Sequence, residues 1–216
     1  MSIKIDNKPF FEQLTIVLIG NFNPAIFHPM WFAKNELIMD QEAENASIKI
    51  NNMDICVFTL DWCVVEVLKN RFSIKTIQEQ TQETIKDLVV STFLILNHTP
   101  INMLGINIDR EYDAKDESTW HNIGHALTPK DIWKNILNEP GMKNIVIQGK
   151  REDSYEGHIQ FSVSPGNQQQ HSVSIGINDH YQGKDLECDK ILGNWNSILL
   201  ANKKKLDRLI DNLQKS

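Results

Sequence analysis

Residues 99–137 read TPINMLGINIDREYDAKDESTWHNIGHALTPKDIWKNIL, and this stretch decides the fold. Pro100 ends whatever helix precedes it, because the residue before a proline avoids helical backbone. Ile101 to Glu111 then predicts a strand, with Leu104, Ile106 and Ile108 on one face and Asn107 and Asp109 on the other. Asp116 to Leu127 predicts a helix carrying Trp120, His121 and His125. Thr128-Pro129-Lys130-Asp131 predicts another helix start: threonine as cap, proline at the first helical position, aspartate reaching back at the third. That second helix carries Trp133 and stops at Glu139-Pro140-Gly141. Downstream, Asn144 to Arg151, His158 to Ser164 and His171 to Asp179 alternate as strands, and a last helix runs from about Asp189 to Leu213.

The residues before position 99 follow the same plan. Ser2 to Ile5 predicts a short edge strand and Leu14 to Phe22 a buried one. Asn23-Pro24 starts a helix that runs to about Asn35 and is kinked at His28-Pro29. Gln41 to Asn45 reads as a polar loop. Ser47 to Ile50, Asp54 to Leu60, Trp62 to Leu68 and Arg71 to Ile77 follow as strands, with Asn51-Asn52 as a tight turn between the first two. Thr84 to Leu96 is the clearest helix, because Ile85, Leu88, Val89, Thr92, Phe93 and Leu96 make one continuous stripe.

Strand, helical stretch, strands and long helix thus occur twice, in residues 1–98 and 99–216. In this reading Leu18-Ile19-Gly20-Asn21 lies over Met103-Leu104-Gly105-Ile106, and Arg71 to Ile77 over Ser174 to His180. The fold class is α+β: two βαβββα-like halves forming a curved antiparallel sheet with helices packed on one face, together one compact domain. The order of elements resembles the duplicated fold of the TATA-binding protein, which implies a curved sheet with a DNA-binding face. HTPINMLGIN and WHNIGHALTPKDIW resemble small uncharacterised bacterial proteins, a likeness that implies no activity.

Composition narrows the function classes. The 216 residues carry a formal net charge of −6, which argues against a general phosphate-backbone binder of nucleic acid. No apolar run reaches the roughly 20 residues of a membrane span. Met1 to Lys8 has no signal-peptide core. Three cysteines, Cys56, Cys63 and Cys188, with no CxxC among them, point to a reduced, cytoplasmic compartment. Abundant Asn, Lys and Ile suggest an AT-rich bacterial or phage genome.

The strands of the two halves differ. Second-half strands carry a polar outer face that includes Asp109, Gln160, Ser172, Asn178 and His180. First-half strands are mostly apolar on both sides, with Glu66 the one charge among them, so a further surface must cover them. Phe58, Trp62, Val64 and Leu68 are the expected interface, formed with a second copy or another protein, and Trp62 is the expected anchor. The leading expectation is a non-enzymatic interaction or scaffold module that self-associates, with accessory roles in phage biology or defence. The second is a small-ligand or nucleotide-binding protein using the polar face. The third is a metal-dependent hydrolase using His121 and His125, which share a helix face at i, i+4. Asn122 stands where a metalloprotease needs glutamate. Asp179-His180 is a candidate general-base pair. Lys203-Lys204-Lys205 reads as a solvated basic face, and no cofactor motif is present.

Overall fold

The computed structural model describes residues 3–184 and 186–215. Two long strands, β1 (Phe11–Gly20) and β6 (Ile101–Asp113), pair antiparallel along their length, from Phe11 opposite Glu111 to Gly20 opposite Ile101. Each is the first strand of its half. β5 (Arg71–Thr76) flanks β1, and β4 (Cys63–Leu68), β3 (Ile55–Leu60) and β2 (Ser47–Asn51) follow outward. β9 (Ser172–Gln182) flanks β6, followed by β8 (Gly157–Pro165) and β7 (Ile145–Lys150). The result is one open antiparallel sheet of nine strands in the order β2-β3-β4-β5-β1-β6-β9-β8-β7, built from two halves of like plan.

Helices cover one face. They are α1 (Pro29–Lys34), α2 (Asp40–Glu44), α3 (Gln82–Ile95), α4 (Glu117–Leu127), α5 (Cys188–Leu192) and α6 (Trp195–Lys215). Period-two alternation sends Leu14, Ile16 and Leu18, then Leu104, Ile106 and Ile108, toward them, and all six are fully buried. Phe22, Phe27, Phe72 and Phe93 meet ring to ring under the first half, with centroids 5.2–6.5 Å apart. None of the helices among the described residues is long and apolar enough to cross a membrane.

A polar cluster joins the halves beneath the β1–β6 seam. Arg110 donates from Nε to Glu12 Oε2 at 2.6 Å and from Nη1 to Asp207 Oδ1 at 2.8 Å. Glu12 Oε1 also accepts from Gln82 Nε2 at 2.8 Å and lies 3.0 Å from Lys203 Nζ. β1, β6, α3 and α6 are therefore tied by one set of charge-assisted hydrogen bonds.

Several local expectations are corrected. Asp40–Glu44 is a short helix and not a loop: Glu42 accepts from the Met39 backbone N–H at 2.8 Å, satisfying a donor at the helix start. The helix after Asn23 does not bend at His28-Pro29 but restarts there. A 3-10 turn spans Pro24–Ile26, and His28 Nδ1 then caps α1 by accepting from Met30 N at 3.2 Å. The helix expected after Thr128 reduces to a 3-10 turn at Asp131–Trp133. Thr128 Oγ1 donates to Gly124 O at 2.8 Å and so closes α4 instead of opening a new helix. Ile132, Trp133, Ile136 and Leu137 stay exposed, and a segment that short with nothing to pack on does not hold a helix. The last helix is interrupted at Gly193-Asn194. The turn after Asn51 is longer than two residues, and Asn52 Oδ1 accepts from Asp54 N and Ile55 N at 2.8 and 3.0 Å. Ile3 and Ile5 are buried without forming a strand, and Ser2 lies outside the described residues. Laying Leu18 over Met103 is out by an odd number of residues, since Leu18 faces the helices and Met103 the open side.

Candidate functional site

The face of the sheet opposite the helices is uncovered, and strand register arranges its side chains in rows. One row is Ser73, Val17, Gly105, His180, His158 and Lys150. The next is Lys75, Thr15, Asn107, Asn178, Gln160 and Gln148. A third is Gln13, Asp109, Gly176 and Ser162. The middle of the face is thus built from amides, hydroxyls and two histidines.

Two glycines sit in this middle. A Cβ on Gly105 would lie 3.3 Å from Asn178 Oδ1 and 3.4 Å from Asn107 Nδ2. One on Gly176 would come within 2.5 Å of Asp109 Oδ1 and 2.8 Å of Ser162 Oγ. The bare backbone at Gly105 lines a depression of about 390 Å³ across β5, β1, β6 and β9, whereas the space over Gly176 is filled by the Asp109 carboxylate and the Ser162 hydroxyl. Arg71, Thr15, Val17, Asn107, Asp109, Asn178 and His180 line it. Asn178 Oδ1 is buried and has no hydrogen-bond partner among the described residues. Burial pushes the Asp109 pKa up, because a desolvated carboxylate is costly. Burial, and then the neighbouring His158, push that of His180 down; the two rings stack with centroids 4.5 Å apart. Arg71 Nη1 donates to Glu66 Oε1 at 2.9 Å at the depression's first-half side.

Of the five polar residues singled out in the sequence, Asp109, Asn178 and His180 come together here. Gln160 is one strand further, opposite Asn178. Ser172 is elsewhere: it is buried at the start of β9, where its hydroxyl donates to Glu111 Oε2 at 3.1 Å. Glu111 also accepts from the backbone N–H groups of Asn167 and Gln168, so Ser172 helps to pin a turn. Among the four expected interface residues, Val64 and Leu68 lie half-buried on the open face. Phe58 points the other way and is 1% exposed, its ring 5.6 Å from that of Phe32 in the core. Trp62 packs on the helix side, where its Nε1 donates to Glu42 Oε1 at 2.7 Å.

The other chemical candidates are placed as follows. His121 and His125 are exposed on α4, with Glu117 Oε1 3.6 Å from His121 Nε2. The described residues contain no group of three or more His, Cys, Asp or Glu side chains able to hold a metal ion. Asp179 and His180 face opposite sides of the sheet, as neighbours on a strand must, so they form no base pair. Asp179 instead accepts from Arg151 Nη1, from Tyr181 OH at 3.2 Å and from Asn202 Nδ2 at 2.9 Å beneath the sheet. All three cysteines are buried; burial, with Glu42 and Asp189 nearby, pushes Cys63 and Cys188 up to about 12. Burial of this kind disfavours a thiolate at neutral pH.

The sequence reading missed Arg71, and it missed the role of Gly105 in opening space. A glycine at a position whose strand neighbours are polar was the available signal. No protein-family model matches the chain, and no curated protein sequence matches it.

Proposed function

We propose that this protein is a binding module that holds a small polar ligand on the uncovered sheet face, in the depression floored by Gly105. The observation that carries this reading is the unpartnered Asn178 Oδ1, which lines one depression together with the desolvated Asp109 over the bare backbone of Gly105. Unsatisfied buried acceptors cost about 1–3 kcal/mol each, so a ligand that supplies donors recovers that energy. Two acceptors on diagonal positions of neighbouring strands suit a ligand with two N–H donors, such as a nucleobase. Asn107 and Arg71 offer donors in return. The test is a thermal-shift screen with free nucleobases and nucleosides, followed by calorimetry on hits. A hit should weaken at least about tenfold, near 1.4 kcal/mol, in Asp109→Asn. Hits that ignore both Asp109→Asn and Gly105→Ala, or a screen with none, would refute the reading.

A second reading concerns the first-half end of the same face. Ile55, Val57, Val64 and Leu68 form a half-buried aliphatic group there with no helix over it. Stacking of two copies across this patch would serve self-association. Light scattering on Val64→Asp tests it: a dimer that becomes a monomer supports it, and a wild-type monomer at high concentration removes it.

A further inference from the structure

Beneath the second half of the sheet, α6 buries one stripe of side chains: Trp195, Leu199, Asn202, Leu206, Ile210 and Leu213. All are apolar but Asn202, which is 0% exposed. A buried amide needs partners for its N–H groups and for its oxygen. Asn202 Nδ2 donates to Asp179 Oδ2 at 2.9 Å. That bond fixes which way the amide points, because the reverse orientation would set an oxygen against a carboxylate. Asn202 Oδ1 is left with no partner among the described residues.

Asp179 breaks its own pattern too, since it faces the helices in the series Ile175, Ile177 and Tyr181. Its carboxylate is satisfied where it stands. Arg151, 5% exposed, donates to it from Nη1, and Tyr181 OH donates at 3.2 Å. The Asn202 oxygen is the group of this buried cluster that remains unmet.

Asn202 and Asp179 lie at the wall of a cavity of about 630 Å³ between α6 and the β7–β8 pair. Small-molecule sites span roughly 300–1,000 Å³. Ile147, Ile159 and Phe161 from the sheet and Ile198 and Ala201 from α6 make its apolar walls. Nothing lies over Ile147, which is 61% exposed. Lys205 stands one helical turn beyond Asn202, on the same side of α6, and lines the same cavity. It is half-buried, and among the described residues no carboxylate lies within ion-pair distance of its Nζ. Asp153, which shares the cavity wall, is held by Arg151. Past Lys205 the cavity adjoins a second of about 330 Å³, whose charged wall residues are Lys205 and Arg208. An anion is therefore favoured on the Lys205 side and disfavoured on the side of Glu152 and Asp153.

We propose that this cavity binds a small apolar carboxylic acid that carries one N–H or O–H donor. The apolar body lies against Ile147, Phe161 and Ile198, Asn202 Oδ1 accepts from the donor, and the carboxylate pairs with Lys205. Such a ligand satisfies a buried acceptor and a half-buried cation together. The site is on the helix side of the sheet, separate from the depression at Gly105, and does not depend on the reading of that depression.

The test is titration calorimetry on the whole chain with three acids: indole-3-acetate, 4-hydroxyphenylacetate and 10-hydroxydecanoate. At least one should bind saturably. The acid that binds is then compared with two analogues, one with its donor methylated and one with an amine in place of the carboxylate. Each analogue should bind at least about tenfold more weakly. Lys205→Gln should weaken the acid at least about tenfold and close most of its gap to the amine. Ala201→Phe should abolish binding by filling the space. Lys205 is half-buried and Ala201 exposed, so both variants should keep the fold, which circular dichroism checks. Asn202→Leu also strips a donor from Asp179, so its readout is the preference for the acid over the methylated analogue, which should vanish. Three results would overturn the proposal: no saturable binding of any of the acids, equal binding of the methylated analogue to the wild type, or an affinity unchanged in Lys205→Gln or Ala201→Phe. Loss of binding in Asp109→Asn would also overturn it, by placing the acid on the open face.

Discussion

Glu12→Gln is the sharpest test of how the halves are joined. The carboxylate accepts from Arg110 Nε at 2.6 Å and Gln82 Nε2 at 2.8 Å, and pairs with Lys203 Nζ at 3.0 Å. Removing its charge leaves the Arg110 guanidinium, 8% exposed, with only Asp207, which is 59% exposed. Breaking a fully buried pair costs about 3–5 kcal/mol. Glu12 keeps 19% of its side chain in solvent, which softens the loss to about 2–3 kcal/mol. For a chain of this length that lowers Tm by about 4–12 °C. Urea denaturation followed by circular dichroism measures it, with an unchanged slope as the sign that only stability moved. The effect has a pH signature. Burial acts to raise the Glu12 pKa, but hydrogen bonds from Gln82, Lys203 and Arg110 outweigh it and hold the value below the ordinary 4.5. A lowered folded pKa means the contribution is complete above that value and is lost as pH falls through the folded one. The gap between wild type and Glu12→Gln should therefore close on acidification below about pH 4.5. A double variant, Glu12→Met/Arg110→Met, should be less damaged than either single change, because no charge is then stranded. A cost under about 0.5 kcal/mol for Glu12→Gln, or strict additivity in the double variant, would refute the reasoning.

Two further outcomes are expected. Gly157 has φ +140°, and a Cβ there would come within 2.0 Å of His180 O, so Gly157→Ala should destabilise by about 2 kcal/mol or more in the same urea assay. The three buried thiols should react with a disulfide reagent at neutral pH only at the rate of global or local opening, and rapidly in denaturant; fast labelling of the native protein would place at least one of them at the surface.

Much of the architecture was legible in the chain. Period-two alternation in Ile101 to Glu111 and in Ser172 to Asp179 identified both the strands and their faces, because a strand's geometry leaves no other option. The stripe in Thr84 to Leu96 identified α3 for the same reason at a period of 3.6. The errors cluster where short-range signals compete. Thr128 has the chemistry to cap a new helix, yet both its backbone N–H and its hydroxyl turn back to Gly124 O and close α4. Gln41 to Asn45 is polar enough for a loop, yet Glu42 both caps α2 and receives the Trp62 indole from twenty residues away.

The candidate site divides along the same line. Sequence alone determined that Asp109, Asn178 and His180 face away from the core, since they fall out of phase with the aliphatic series Leu104, Ile106, Ile108 and Val173, Ile175, Ile177 on their strands. Only the tertiary structure decided that they share one depression with Arg71, and that Ser172 and Phe58 do not belong to any open surface. Register between strands distant in sequence fixes those neighbours, and register is set by packing of the whole sheet against its helices. The same is true of the charges beneath it. Arg110 and Arg151 occupy positions where alternation calls for an apolar residue or a free surface. What makes them tolerable, Glu12 and Asp207 for one and Asp179 and Asp153 for the other, comes from elements far along the chain. A local pattern dictates which way a side chain points; what it meets there is a property of the assembled fold.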